Sequence, residues 1–228
     1  MRVLSTIAIA LAFALPTAAE VTVIHGINGT DLGFDEALTV DVNANGICIE
    51  DLSFRDQLPT GLPAGRYDIA ISLAGGEEGD GCTGAVAVSG VIDIALTEDA
   101  TIIAHLNEEG APALTKYSND IGDTDHNRAR VSVRHAAAAP PVRVLFKRWR
   151  FPNALLPLDN PGSRTVALRA GDYDVQVFDD QRGLLPMPLT GMIPLTFPMN
   201  TYSIAYAVGS VDNGTFELLF QAIPIEVE

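Results

Sequence analysis

LPAGRYDIAI, residues 62–71, returns as LRAGDYDVQV, residues 168–177, and the reading of this pair decides the fold. Two further stretches repeat in the same order. VTVIHG (21–26) returns as VSVRHA (131–136), and GVIDIALTEDATIIAHL (90–106) returns as GMIPLTFPMNTYSIAYA (191–207). The offsets are 110 from His25 to His135, 106 from Gly65 to Gly171 and 101 from Gly90 to Gly191. Three anchors in one order mean duplication. A period near 100 residues is too long for a solenoid and suits two small domains in tandem.

Within each copy the pattern is that of strands. VTVIH, LTVDV, YDIAISL and TIIAHL alternate or run apolar over short lengths, and VRVLF, YDVQVF, YSIAYAV and FELLFQA follow suit. Fourteen prolines and twenty glycines interrupt the chain too often for long helices. Asn45-Gly46 and Asn213-Gly214 lie between strand-like runs and predict hairpin turns. In the duplicated stretch, glycine opens a strand, Tyr67 or Tyr173 buries its ring, and Ile69/Ile71 or Val175/Val177 face the core. The expectation is an all-β chain of two tandem Ig-like or prealbumin-like β-sandwich modules, each with seven or eight strands in two sheets. The modules span residues 20–117 and 128–228, joined by a polar linker at 118–127. Each half has its own apolar pattern and is expected to fold alone.

Residues 1–19 read as a cleavable secretory signal: Arg2, an apolar run to Leu15, then small residues up to Ala19. The run is shorter than the roughly 20 apolar residues needed to span a bilayer. Export to the periplasm or beyond makes a disulfide between Cys48 and Cys82 the expectation. Charge is uneven. Residues 20–117 hold 17 acids and 3 bases, whereas residues 128–228 hold 9 acids and 10 bases. So acidic a first half argues against nucleic acid as a partner.

VTVIHG, LPAGRYDIAI, TIIAHLNEEGAPALTKYSND, ARVSVRHAAAAPPVRV and YAVGSVDNGTFELLFQ together resemble the exported bacterial proteins that carry the DUF4397 domain of unknown function. His25 and His135 match the histidine that ends the family's first strand. Val40-Asp41-Val42 and Val142-Arg143-Val144 match its Val-x-Val strand. The resemblance implies a β-sandwich module, often in tandem, in cell-surface or secreted proteins without established enzymatic activity. The sequence departs from that pattern at VRVLFKRWRFP (142–152), where the family carries a neutral strand and an Asn-Gly-like hairpin.

Chemistry-bearing motifs are few. No Gly-x-Ser-x-Gly elbow or phosphate-binding loop occurs, and no catalytic, cofactor or metal residues are assigned, so no enzyme is expected. His25 and His135 read as strand-end histidines bonded to a neighbouring loop, and His105, aligned with Tyr206, as half-buried. Asp123, Asp125 and Asn127 resemble the opening of a calcium loop, yet Arg128 stands where its glycine belongs and Arg134 where its last glutamate belongs. A solvated linker is the other reading. The segment 143–151 gathers Arg143, Lys147, Arg148 and Arg150 with the only tryptophan, Trp149. Such a set suits capture of a surface protein or an acidic glycan; an edge strand guarded by cations is the alternative. The function expected is a non-enzymatic surface or envelope binding module of adhesion type. Its rival is a structural protein that self-associates, acidic first module against basic second-module strand.

Overall fold

In the strand formed by Gly65–Leu73, Tyr67, Ile69 and Ile71 are buried while Arg66 and Asp68 face out, as two-residue alternation requires. The computed structural model describes residues 20–74, 81–119, 121–122, 127–149, 151–180 and 187–225, with 151–155 described in backbone alone. The signal-like stretch 1–19 lies outside them, as do Asp123, Asp125 and Arg150. The first unit contains β1 (Val21–His25), β2 (Thr39–Ala44), β3 (Ile47–Ser53), β4 (Gln57–Thr60), β5 (Gly65–Leu73), β6 (Val86–Ile94), β7 (Ala100–Leu106) and β8 (Pro112–Ser118). The second contains β9 (Arg128–His135), β10 (Val142–Arg148), β11 (Phe151–Leu158), β12 (Gly162–Arg169), β13 (Gly171–Asp179), β14 (Ile193–Phe197), β15 (Thr201–Val208) and β16 (Glu217–Pro224). Among the described residues one 3-10 turn, Gly29–Leu32, occurs, capped by Asn28.

The topology is duplicated strand for strand. Sheets β4-β1-β7-β8 and β3-β2-β5-β6 form the first unit; β12-β9-β15-β16 and β11-β10-β13-β14 form the second. In each, the first and seventh strands pair parallel at the centre of one sheet. Each unit encloses its own core. Val21, Val23 and Ile102 meet Val42, Tyr67 and Ile69 in the first; Val131 and Val133 meet Val144, Phe146 and Val175 in the second. Both tyrosines brace the corner before their strand: Tyr67 donates to Pro63 O at 2.8 Å, and Tyr173 to Arg169 O at 2.9 Å. Cys48 and Cys82 are disulfide-bonded, pinning the β5–β6 connection across β3. Closing a loop of that length contributes about 3–4 kcal/mol in the chain-entropy model.

Two local expectations need adjusting. Asn45 and Gly46 have φ of 51° and 87° and make the tight β2–β3 turn. Asn213-Gly214 instead lies in a longer β15–β16 connection, where Asn213 Nδ2 and Thr215 Oγ1 bond Asp31 of the first unit. Hydrogen bonding also shifts the third repeat. Gly26 N donates to Ala104 O and Ala136 N to Ala207 O, so Tyr206 is the counterpart of Ile103, not of His105. Two residues of slip keep every side chain on its face, which is why the alternation alone did not reveal it.

The units share a third core. Every residue of β1 and β7 is buried, because their second face packs on the second unit. Ile24, Ile103 and Tyr117 meet Tyr202, Ile204, Tyr206 and Val208. Fully burying each large apolar side chain contributes roughly 1.5–3 kcal/mol. Within this layer lies Arg134, 1% exposed. Its guanidinium donates to Tyr206 Oη (2.8 Å), Asn119 Oδ1 (2.8 Å) and Ser118 O (3.1 Å), and it lies 4.8 Å from the Tyr117 ring centroid. Tyr206 Oη also contacts Thr101 Oγ1 and Gln221 Oε1, and Gln221 Nε2 reaches Thr22. Neutral acceptors and aromatic faces thus hold a buried cation between the units.

Arg134→Ala should therefore lower unfolding stability by about 2–4 kcal/mol, through a cavity and orphaned acceptors. Arg134→Met, which keeps volume and removes the buried charge, should recover at least half of that loss. Urea denaturation of both variants checks this; wild-type midpoints in both would mean that the network contributes nothing.

Candidate functional site

The basic aromatic segment does not form an edge strand. β10 pairs with β11 on one side and β13 on the other, so it is interior, as β2 is in the first unit. The edge-protection reading fails for that reason: inside a sheet there are no open backbone groups for cations to guard. Alternation sends Val142, Val144 and Phe146 into the core and Arg143, Leu145 and Lys147 to the outer face.

The cations of this segment do not act alike. Arg143 forms an ion pair with Asp180. Lys147 stands directly opposite Asp174 in the β10–β13 register. Arg148 is half-buried, donates to Ala170 O at 3.3 Å and lies 5.7 Å from the Tyr173 ring centroid. Trp149 occupies the β10–β11 turn with φ 59° and is 89% exposed, more than any other large apolar side chain described. Beside it, Lys147, Asp172, Asp174 and Thr196 line a small open groove. On the other side of the turn, Arg148 joins Arg128 and Arg169 in a second cleft, with Asn127 and Ala170. The sequence did not point to Arg169. It lies 21 residues from Arg148 and comes near it only through the sandwich.

The histidines serve the fold. His25 Nε2 bonds Leu38 O at 3.2 Å, and His135 Nε2 bonds Pro140 O at 3.1 Å, each closing its own strand end as expected. His105 is fully buried rather than half-buried, with its ring between Leu106 O (2.9 Å) and Thr115 Oγ1 (2.8 Å). Its residue lies on the face where the other unit excludes water. Burial lowers all three pKa values from 6.5, that of His25 to about 4. Glu98 moves for other reasons. Burial would raise it, but hydrogen bonds from Ala95 N, Lys116 and Ser118 outweigh that and bring it to about 2. Among the described residues no group of three His, Cys, Asp or Glu side chains could hold a metal ion. Of the calcium-loop candidates only Asn127 is described.

Where the units meet, an open cleft runs past Thr22, Gln57, Asp99, Phe220 and Gln221. Its amides are engaged, Gln57 with Phe220 O and Gln221 with Thr22 and Tyr206. Among the described residues no helix is long and apolar enough to cross a membrane.

A family model described as "Domain of unknown function (DUF4397)" matches residues 19–145, from the chain before β1 through β9 and into β10. No curated protein matches. Among solved structures, the crystal structure of a "putative cell adhesion protein" from Bacteroides ovatus ATCC 8483 matches at 7% identity with a TM-score of 0.31. That match covers 93% of this chain and 99% of the other.

Acid should loosen this protein in two windows. The histidines have folded pKa values below the unfolded value, so their stabilisation is complete above about pH 6.5 and is lost as pH falls toward the folded values. The slope is roughly 1.4 kcal/mol per pH unit for each histidine. Glu98 is also lowered, in its case by hydrogen bonds to the carboxylate; its contribution is present above about pH 4.5 and is lost as pH falls through 2. Urea midpoints measured from pH 7.5 to 4 should begin to drop below pH 6.5. A flat profile down to pH 4.5 would contradict buried neutral histidines.

Proposed function

The chain belongs to the DUF4397 family, and from that premise we propose that it is an exported, non-enzymatic binding module of adhesion type. In this reading it engages a partner at the cell envelope through the β10–β11 end of its second unit. The observation that carries the proposal is Trp149, the only tryptophan of the chain, 89% exposed in a turn among cations. Leaving an indole in water costs apolar burial, and aromatic and arginine side chains dominate the energy of binding surfaces. The same turn in the first unit is Asn45-Gly46, so the sandwich does not require a tryptophan there. The disulfide and the signal-like residues 1–19 support an extracytoplasmic setting.

Replacing Lys147, Arg148 and Arg150 together by Gln should abolish capture of native envelope material by the immobilised full chain. Trp149→Ala should do the same with little effect on stability, since exposed substitutions usually change it by about 0.5 kcal/mol or less. Capture should weaken as salt rises, because exposed charges are screened over roughly 8 Å at physiological ionic strength. Unchanged capture by both variants would remove the site. Salt-sensitive oligomers seen by light scattering, lost in the triple variant, would favour the self-association reading instead.

A further inference from the structure

We infer that the end of the second unit where Arg148 and Arg169 meet Arg128 binds an anionic glycan, its sulfate or carboxylate groups held by guanidiniums and a sugar ring laid on Trp149. This rests on the binding-module reading, narrows its partner to a glycan and adds two residues outside the hairpin. Three separate segments build the cleft. Arg128 opens β9, Arg148 closes β10, and Arg169 closes β12 directly opposite Arg128. The described residues lining it are Asn127, Arg128, Arg148, Arg169 and Ala170; Arg128 is already engaged, its Nη1 donating to Ala167 O at 3.0 Å, so Arg148 and Arg169 are the guanidiniums offered to a ligand. Planar guanidiniums match carboxylate and sulfate oxygens with paired donors.

Arg148 is seated rather than loose. It lies against Gly171, where a Cβ would come within 3.0 Å of Nη2, and one of its five N–H donors goes to Ala170 O. Arg169 is exposed, and among the described residues its side chain has no hydrogen bond or ion pair.

The duplication supplies an internal control. Val42 faces Ile71 in the register where Val144 faces Val177, so the counterpart of Arg148 is Gly46. Tyr67 bonds Pro63 O as Tyr173 bonds Arg169 O, so the counterpart of Arg169 is Pro63. The first unit builds the same corner and the same tyrosine brace without either cation. The arginines are therefore additions to the second unit, not requirements of the fold.

The surroundings of Trp149 select among polyanions. One flank holds the guanidiniums. The other holds Asp172, Asp174 and Thr196, with Thr196 Oγ1 bonded to Asp172 Oδ1 at 2.6 Å. Carboxylates and a hydroxyl bond sugar hydroxyls, which a glycan offers along its whole length and a DNA backbone does not. An indole face packs on the C–H face of a pyranose ring without a charge requirement. A chain bearing both hydroxyls and spaced anions fits both flanks.

Because Trp149 is the only tryptophan, its fluorescence reads this site directly. The full chain is titrated with heparin as the sulfated arm and polygalacturonate as the carboxylated arm, with neutral dextran and single-stranded DNA alongside. A saturable change in emission is expected with one or both anionic glycans, and the responding arm identifies the anion. Arg169→Gln should weaken binding at least tenfold, and Arg148→Gln likewise. Arg164→Gln, an exposed charge five residues up β12 and roughly 16 Å away, should leave it unchanged. No response to either glycan, an equal response to DNA, or an equal loss in Arg164→Gln would each overturn the inference. Envelope capture that persists while both glycans fail would sink the ligand class and leave the binding module standing; loss of both would sink both.

Discussion

Arg134 is a cation 1% exposed between two β-sandwiches, and the arrangement of the chain depends on how it is accommodated. Removing a guanidinium from water costs several kcal/mol unless its donors are met. Here Tyr206, Asn119 and Ser118 supply the acceptors, and the rings of Tyr117 and Tyr206 supply the negative faces. Those partners come from both units, so the Nη bonds form only when the units are docked, while Nε is buried without a partner. Around it, Ile24, Ile103, Ile204 and Val208 provide the apolar contact that makes docking favourable. At the rim, Arg55 and Glu217 make a two-pronged ion pair, which contributes little because it is solvent-exposed. Orientation comes from the buried polar network and affinity from the apolar layer.

Docking leaves the outer sheets and the ends of the sandwiches for interaction. Two identical topologies carry different chemistry at the same corner: Gly46 and Pro63 in the first unit, Arg148 and Arg169 in the second. Duplication followed by divergence at one end gives a rigid scaffold with one specialised tip. Rigid presentation matters for recognition, since groups already fixed by packing lose little freedom on binding. Arg148, seated on Gly171 and Tyr173, is prepared in that sense, while Trp149 stands free in the turn.

Much of the fold was legible because duplication doubles every local signal. Tyr67 and Tyr173, the alternation of β5 and β13, and the Cys48–Cys82 pair all follow from residues read in sequence. The shared core was less legible, although its trace was present. VTVIH, TIIAHL and YSIAYAV run nearly continuously apolar, which marks strands covered on both faces, whereas YDIAISL alternates. The role of Arg134 within such a run was not legible, because no local pattern announces a partner 72 residues away in Tyr206. The position of β10 was misjudged for a related reason. Cations on alternate positions describe an outward face equally well at the edge or in the middle of a sheet, and only pairing decides. Arg169 was invisible as a site residue, since its nearness to Arg148 arises from packing across the sandwich.

Backbone hydrogen exchange on the full chain tests most directly whether a third core fuses the two units. If it does, the amides of β1, β7, β9 and β15 share the slowest exchange, and Arg134→Ala speeds all four together. Exchange of β1 and β7 at a rate distinct from β9 and β15, unaffected by that substitution, would mean two sandwiches that merely touch.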